Sequence, residues 1–89
     1  MTYQQFSKSK NRANDVYYIL IHEHKHGNDI GLYKTYEAAF RYGVSVMRET
    51  ADEWSEDVSD LSDFELWKSW SEIAGETEFF RVEEVTLND

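Results

Sequence analysis

The longest apolar run in the chain is Val16-Tyr17-Tyr18-Ile19-Leu20-Ile21. Its β-branched and aromatic content predicts a strand over residues 16–24, with Tyr17, Ile19 and Ile21 on one face and Tyr18, Leu20 and His22 on the other. His26-Gly27-Asn28-Asp29 follows with turn chemistry, because Gly and Asn tolerate positive φ and Asp bonds its own backbone. A hairpin is therefore expected, its second strand over 30–34. The period then changes. Ala38, Ala39, Tyr42, Val46, Met47 and Trp54 recur near 3.6 residues, predicting a helix over 36–54 that Thr35 caps. Ser62 with Glu65 three residues later is a capping-box signature for a second helix, whose apolar set is Phe64, Leu66, Trp67, Trp70, Ile73 and Ala74 and which Gly75 is placed to end. Residues 78–87 read as a third strand. In it Phe80 and Val82 are out of phase with Val85 and Leu87, which a bulge near Glu83 and Glu84 would reconcile.

The order β-β-α-α-β predicts an α+β fold, a three-stranded antiparallel sheet with two helices on one face. The uncovered face is available for an interface. Residues 1–13, polar and carrying Lys8, Lys10 and Arg12, read as an N-terminal arm, and 14–89 as a single domain. No proline, repeat or Gly/Ser linker argues for a second one.

At 89 residues, such a domain buries only about 60–65% of the surface its unfolded chain exposes. With no cysteine, neither disulfides nor thiolate ligands supplement the core, and a cysteine nucleophile is excluded. The start Met1-Thr2-Tyr3-Gln4-Gln5 lacks the apolar region of a secretion signal, and no run approaches the ~20 residues a membrane helix needs. A cytoplasmic location is expected. Aromatic residues, 16% of the chain, supply core volume, and some of them are candidate interface anchors.

The net charge of −9 disfavours direct binding to nucleic acid and makes a basic partner the natural complement. It is unevenly distributed. Residues 1–48 hold seven Lys or Arg against four Asp or Glu, whereas residues 49–89 hold two against fourteen. The densest stretch, Glu49, Asp52, Glu53, Glu56, Asp57, Asp60, Asp63 and Glu65, places eight carboxylates in seventeen residues with no Lys or Arg among them. Like charges at helical spacing cost a few tenths of a kcal/mol per pair. Such a row imitates phosphate spacing and suits a groove lined by Lys and Arg, while the plain alternative is a solvated surface that keeps a small protein soluble. Calcium binding lacks its DxDxDG loop.

Two further groups invite weighing. In His22-Glu23-His24-Lys25-His26, strand periodicity puts three imidazoles on one face, about 6.5–7 Å apart between successive Cα atoms. These are metal-ligand candidates that need a further ligand, and Asp29 across the turn is the local one. Hydrogen-bonded imidazoles fixing a hairpin end are the simpler reading, and no cofactor is expected. The helical HExxH arrangement of zinc proteases is absent. Trp54, Trp67, Trp70, Phe79 and Phe80 are either core or interface anchors beside the acidic run, and helical spacing favours core. No GxSxG elbow, Gly-rich phosphate loop or singled-out carboxylate pair points to catalysis.

The hairpin segment Ile21-His22-Glu23-His24-Lys25-His26-Gly27-Asn28-Asp29, followed by Thr35-x-Glu37-Ala38, resembles small uncharacterised proteins carrying an EHxHGxD stretch before a helix. In size, acidity and lack of catalytic motifs the chain also resembles small phage and mobile-element inhibitors, of which the anti-CRISPR proteins are one group. That resemblance implies a non-enzymatic inhibitor acting in the host cytoplasm. It would block the basic nucleic-acid-binding surface of a host defence complex, such as a CRISPR effector; the residues this chain would offer, read from its charge and aromatic pattern and not from the resemblance, are Glu49, Asp52, Glu53, Trp54, Glu56, Asp57, Asp60 and Asp63. A regulatory module that binds through its aromatic or sheet surface is the alternative expectation.

Overall fold

The computed structural model describes residues 15–87; the expected N-terminal arm lies outside them. The elements are β1 (Asp15–His24), β2 (Gly27–Tyr33), α1 (Tyr36–Glu53), α2 (Asp63–Ile73) and β3 (Phe79–Leu87), in the expected order β-β-α-α-β. The sheet order is β2-β1-β3, and both outer strands pair antiparallel to β1. The most apolar strand thus takes the centre. The chain crosses from β2 at one edge to β3 at the other through the two helices. Among the described residues, no helix is long and apolar enough to cross a membrane.

Both helix starts are fixed by side chains that satisfy otherwise unpaired backbone N–H groups. Thr35 Oγ1 accepts from the Ala38 N–H at 3.0 Å. Ser62 and Glu65 complete a reciprocal capping box: Ser62 Oγ accepts from the Glu65 N–H at 3.1 Å, and Glu65 Oε1 accepts from the Ser62 N–H at 2.9 Å. The chain leaves α2 through Ala74 into Gly75, whose φ of +64° suits a residue without Cβ.

The core lies between the helix pair and one sheet face. Val44, Met47 and Ala51 of α1 pack with Leu66 and Trp70 of α2 and with Ala74, and Phe40, Trp67 and Phe80 close around them. Leu20 supplies the sheet side, with its Cδ1 near Gly43 of α1. At Gly43 the helices come so close that an added Cβ would stand 2.7 Å from the Trp67 ring.

Three expectations need correction. The hairpin turn is Lys25-His26, and Gly27-Asn28-Asp29 already belong to β2, where they pair with His24, Glu23 and His22. Gly27 relieves the backbone with a φ of +129°. β3 carries no bulge, because its register with β1 runs unbroken from Asp15↔Leu87 to Glu23↔Phe79. Phe80 and Val82 therefore face the helices, while Phe79, Val85 and Leu87 face the other way, on the same side as Ile30 and Leu32 of the opposite edge strand. That outer face exposes large apolar side chains around the ion pairs of Arg81 with Glu23 and Glu83: Ile30 is 69% exposed, Leu32 64%, Leu87 52% and Phe79 45%. Lastly, His26 sits in the turn and not in the strand, although its ring lies 6.1 Å from that of His24.

Candidate functional site

The acidic stretch does not form one helical row. α1 ends at Glu53, Trp54 caps it, and Ser55 turns the chain with a φ of +60°. Glu56, Asp57 and Asp60 therefore lie on the connection to α2, and Asp63 and Glu65 in its first turn. Helix rotation divides the remainder. Asp52 joins Glu56 and Asp57 around a surface cleft of about 240 Å³, with Arg48 at its wall. Glu49 and Glu53, four apart, turn instead toward the hairpin.

Three of these carboxylates hold local structure. Asp57 Oδ1 accepts from the Ser59 N–H at 3.0 Å and from its hydroxyl at 2.7 Å; these bonds hold its carboxyl below the usual range. The bonds from Ser62 do the same for Glu65. Asp63 pairs with Arg48 at 2.8 Å. Arg48 also donates to the carbonyls of Leu61 at 2.9 Å and Val58 at 3.4 Å, which pins the connection against α1. Glu49, Asp52, Glu53, Glu56 and Asp60 are exposed, and none has an ion-pair partner among the described residues.

The aromatic group divides as well. Trp70 is 1% exposed and belongs to the core. Trp54, 41% exposed, stacks on it at 5.6 Å and lines the hairpin-side cavity with Glu53 and His24, next to but not within the cleft of Asp52, Glu56 and Asp57. Phe79 lies on the apolar outer face of the sheet.

At the hairpin, β1 projects His22 and His24 toward the helix side with ring centroids 4.9 Å apart. His22 stacks on its cross-strand neighbour Phe80 at 4.0 Å. Its Nε2 hydrogen bonds Glu78 Oε1 at 3.0 Å, and its Nδ1 lies 3.8 Å from Asp29 Oδ2. His24 Nε2 lies 3.1 Å from the same Asp29 oxygen. Sequence spacing could nominate Asp29 but not Glu78, which is 56 positions from His22 and reaches it only because β3 pairs with β1. The letters His22-Glu23-x-x-His26 do match the zinc-protease string. That motif works by placing both imidazoles on one helix face, whereas here His22 is in a strand and His26 in a turn. Glu23 faces the opposite side of the sheet, paired with Arg81 at 2.8 Å.

No family model, curated protein or solved structure matches the chain. Function is therefore read from the geometry of its surface.

Proposed function

We propose that this protein is a non-catalytic binding protein that docks the cleft-side acids Asp52, Glu56 and Asp57, with Asp60 and Asp63 beyond them and Trp54 as an apolar anchor, onto a basic surface of another protein. The supporting observation is the convergence of Asp52, Glu56 and Asp57 on one cleft whose only lining cation is Arg48. Arg48 is itself engaged by Asp63 and two carbonyls. Carboxylates left without cations repel one another until a cationic surface arrives, and they accelerate its approach. The partner class is a nucleic-acid-binding protein whose Lys/Arg groove accepts carboxylates in place of phosphates. In the inhibitor reading this partner is a host defence complex such as a CRISPR effector, and its activity is blocked.

The test is capture of a nucleic-acid-binding partner from lysate on the tagged full chain. Release is expected as salt rises and on adding an oligonucleotide, with capture lost in Asp52→Lys/Glu56→Lys. Capture that persists in the variant and in 1 M salt overturns the proposal.

The apolar outer face of the sheet favours a second reading, a protein contact through Ile30, Leu32, Phe79 and Leu87 with the acids serving solubility. Such a contact resists salt and is lost in Leu32→Asp.

A further inference from the structure

We infer that the end of the β1–β2 hairpin is a zinc-binding site formed by His22 Nδ1, His24 Nε2 and Asp29, with Glu78 orienting His22. One donor atom from each of His22, His24 and Asp29 lies within 4.8 Å of the others. Donors on a tetrahedral zinc ion, with bonds of about 2.0–2.1 Å, stand roughly 3.3–3.4 Å apart. Two of the observed separations, 3.1 Å and 3.8 Å, already bracket that spacing. The side chains of exposed Asp29 and half-buried His24 can rotate to close the remaining gap, and the turn amide of His26 must release His24 Nδ1. Two imidazole nitrogens and one carboxylate suit zinc better than calcium or magnesium, which take oxygen ligands. Three protein ligands leave a fourth position, which opens toward a cavity of about 410 Å³ lined by His22, Asp29, Tyr33 and Glu49.

The second observation is the setting of His22. Glu78 Oε1 lies 3.0 Å from His22 Nε2, so in the tautomer whose Nε2–H donates to Glu78 the Nδ1 lone pair points to the side where Asp29 Oδ2 stands at 3.8 Å. The side chains of His22 and Glu78 are only 14% and 16% exposed, so water screens the pair weakly. A carboxylate on the far nitrogen of a ligating imidazole is the arrangement that fixes its tautomer and raises its basicity. Phe80, stacked beneath the ring, holds its plane.

Loading requires one proton rearrangement. The His26 N–H donates to His24 Nδ1 at 3.2 Å, so in the metal-free ring Nε2 carries the proton that Asp29 accepts. Zinc displaces that proton from Nε2, the ring takes one up on Nδ1, and the exposed His26 N–H turns to water. The bound imidazole stays neutral. Glu49 borders the site on one side; Glu53 lines a second cavity with His24, His26 and Glu78 on the other. These two acids of α1 give the site a negative approach for a cation. The ligand set is separate from the acids of the proposed partner cleft, so either reading can fail alone.

The experiment is titration of untagged, chelator-treated full chain with zinc chloride by calorimetry, with cobalt(II) absorption as a report of coordination. One zinc per chain is expected, with micromolar or tighter affinity, a rise in melting temperature and an intense visible cobalt band. Asp29→Asn alters an exposed carboxylate and leaves folding intact by circular dichroism. Asp29→Asn and His24→Gln should each weaken binding at least about tenfold, and Glu78→Gln by about 10–100-fold. Asp52→Lys/Glu56→Lys should leave it unchanged. Absence of saturable binding overturns the inference. So does zinc binding that survives Asp29→Asn and His24→Gln, or calcium binding as tight as zinc.

Discussion

Replacing Gly43 by Ala tests the joint on which the acidic surface is built, because the cleft-side acids run from the end of α1 onto the start of α2. In an open helix interior the substitution would stabilise the protein by about 0.8–1 kcal/mol, the difference in helix propensity between the two residues. Here the new methyl would meet Trp67 Cζ3 at 2.7 Å and Leu20 Cδ1 at 3.4 Å. Carbon atoms prefer about 3.5–4.0 Å, so the indole must retreat by roughly 0.8 Å or more. It is a rigid ring confined by Phe40 and Phe80, with centroids at 5.1 and 6.1 Å. Overpacking of this kind costs about 1–3 kcal/mol. The balance is a net loss of up to about 2 kcal/mol in the native background.

The sign should reverse when the obstacle is removed. In a Trp67→Leu background, Gly43→Ala should stabilise by about 0.8–1 kcal/mol, because only the propensity gain remains. The four variants form a double-mutant cycle with a coupling energy of about 1–3 kcal/mol, measured by urea denaturation. Thermal scans offer a second readout, at about 4–8 °C per kcal/mol for a domain of this size. An equal stabilisation by Gly43→Ala in both backgrounds would refute the close helix approach.

Two further outcomes concern the connection between the helices. Arg48→Met should cost about 1–2 kcal/mol, since it removes a charged donor from the carbonyls of Leu61 and Val58 and from Asp63; amides of residues 55–62 should exchange faster with solvent, and unchanged exchange would deny Arg48 its pinning role. The carboxyls of Asp57 and Glu65 are held low by hydrogen bonds from Ser59 and Ser62. A lowered carboxylate pKa contributes stability above its unfolded value of about 4, and that contribution is lost as pH falls through the lower folded value. The advantage of the native chain over Glu65→Gln in urea midpoint should therefore be present at pH 7 and shrink below about pH 4; a growing advantage in acid would contradict the assignment.

Much of the fold was legible because local signals agreed with one another. The run from Val16 to Ile21 is apolar on both faces, as a central strand requires, and Thr35 and Ser62 mark helix starts by a mechanism that needs no tertiary context. The errors arose where pairing overrode residue chemistry. Gly27-Asn28-Asp29 has the composition of a turn, yet the register opposite His22–His24 makes it strand and moves the turn to Lys25-His26. The phase change in β3 suggested a bulge only on the assumption that one face carries all the apolar residues. β3 instead carries apolar residues on both faces, with Val85 and Leu87 on the side that also exposes Ile30 and Leu32 of β2. The acids were visible as a run, but their division into two groups depends on α1 stopping at Glu53, which leaves Glu56, Asp57 and Asp60 on the connection. Glu78 beside His22 was beyond reach, since only strand pairing brings them together.

The last turn of α1 supplies a test that separates the roles of its acids. A helix C-terminus carries roughly half a negative charge, so acids there are unfavourable by about 0.3–1 kcal/mol each, and α1 has no basic residue in its last turn to offset them. Asp52 and Glu53 both sit there, exposed to solvent. Reversing either charge should therefore stabilise the fold, by about 0.6 kcal/mol and at most about 2, because the original repulsion becomes attraction. The gain should fade as salt rises from about 0.01 to 1 M and the Debye length shrinks from about 30 to 3 Å. Since Asp52 faces the cleft with Glu56 and Asp57 while Glu53 faces His24, the functional effects should part. Asp52→Lys should weaken capture of a basic partner and spare zinc affinity, whereas Glu53→Lys should weaken zinc binding and affect the partner less. Melting curves at two salt concentrations, with calorimetry and capture on the same variants, decide the matter. If neither variant is more stable at low salt, the helix terminus does not oppose these acids, and they are not retained at a cost to stability.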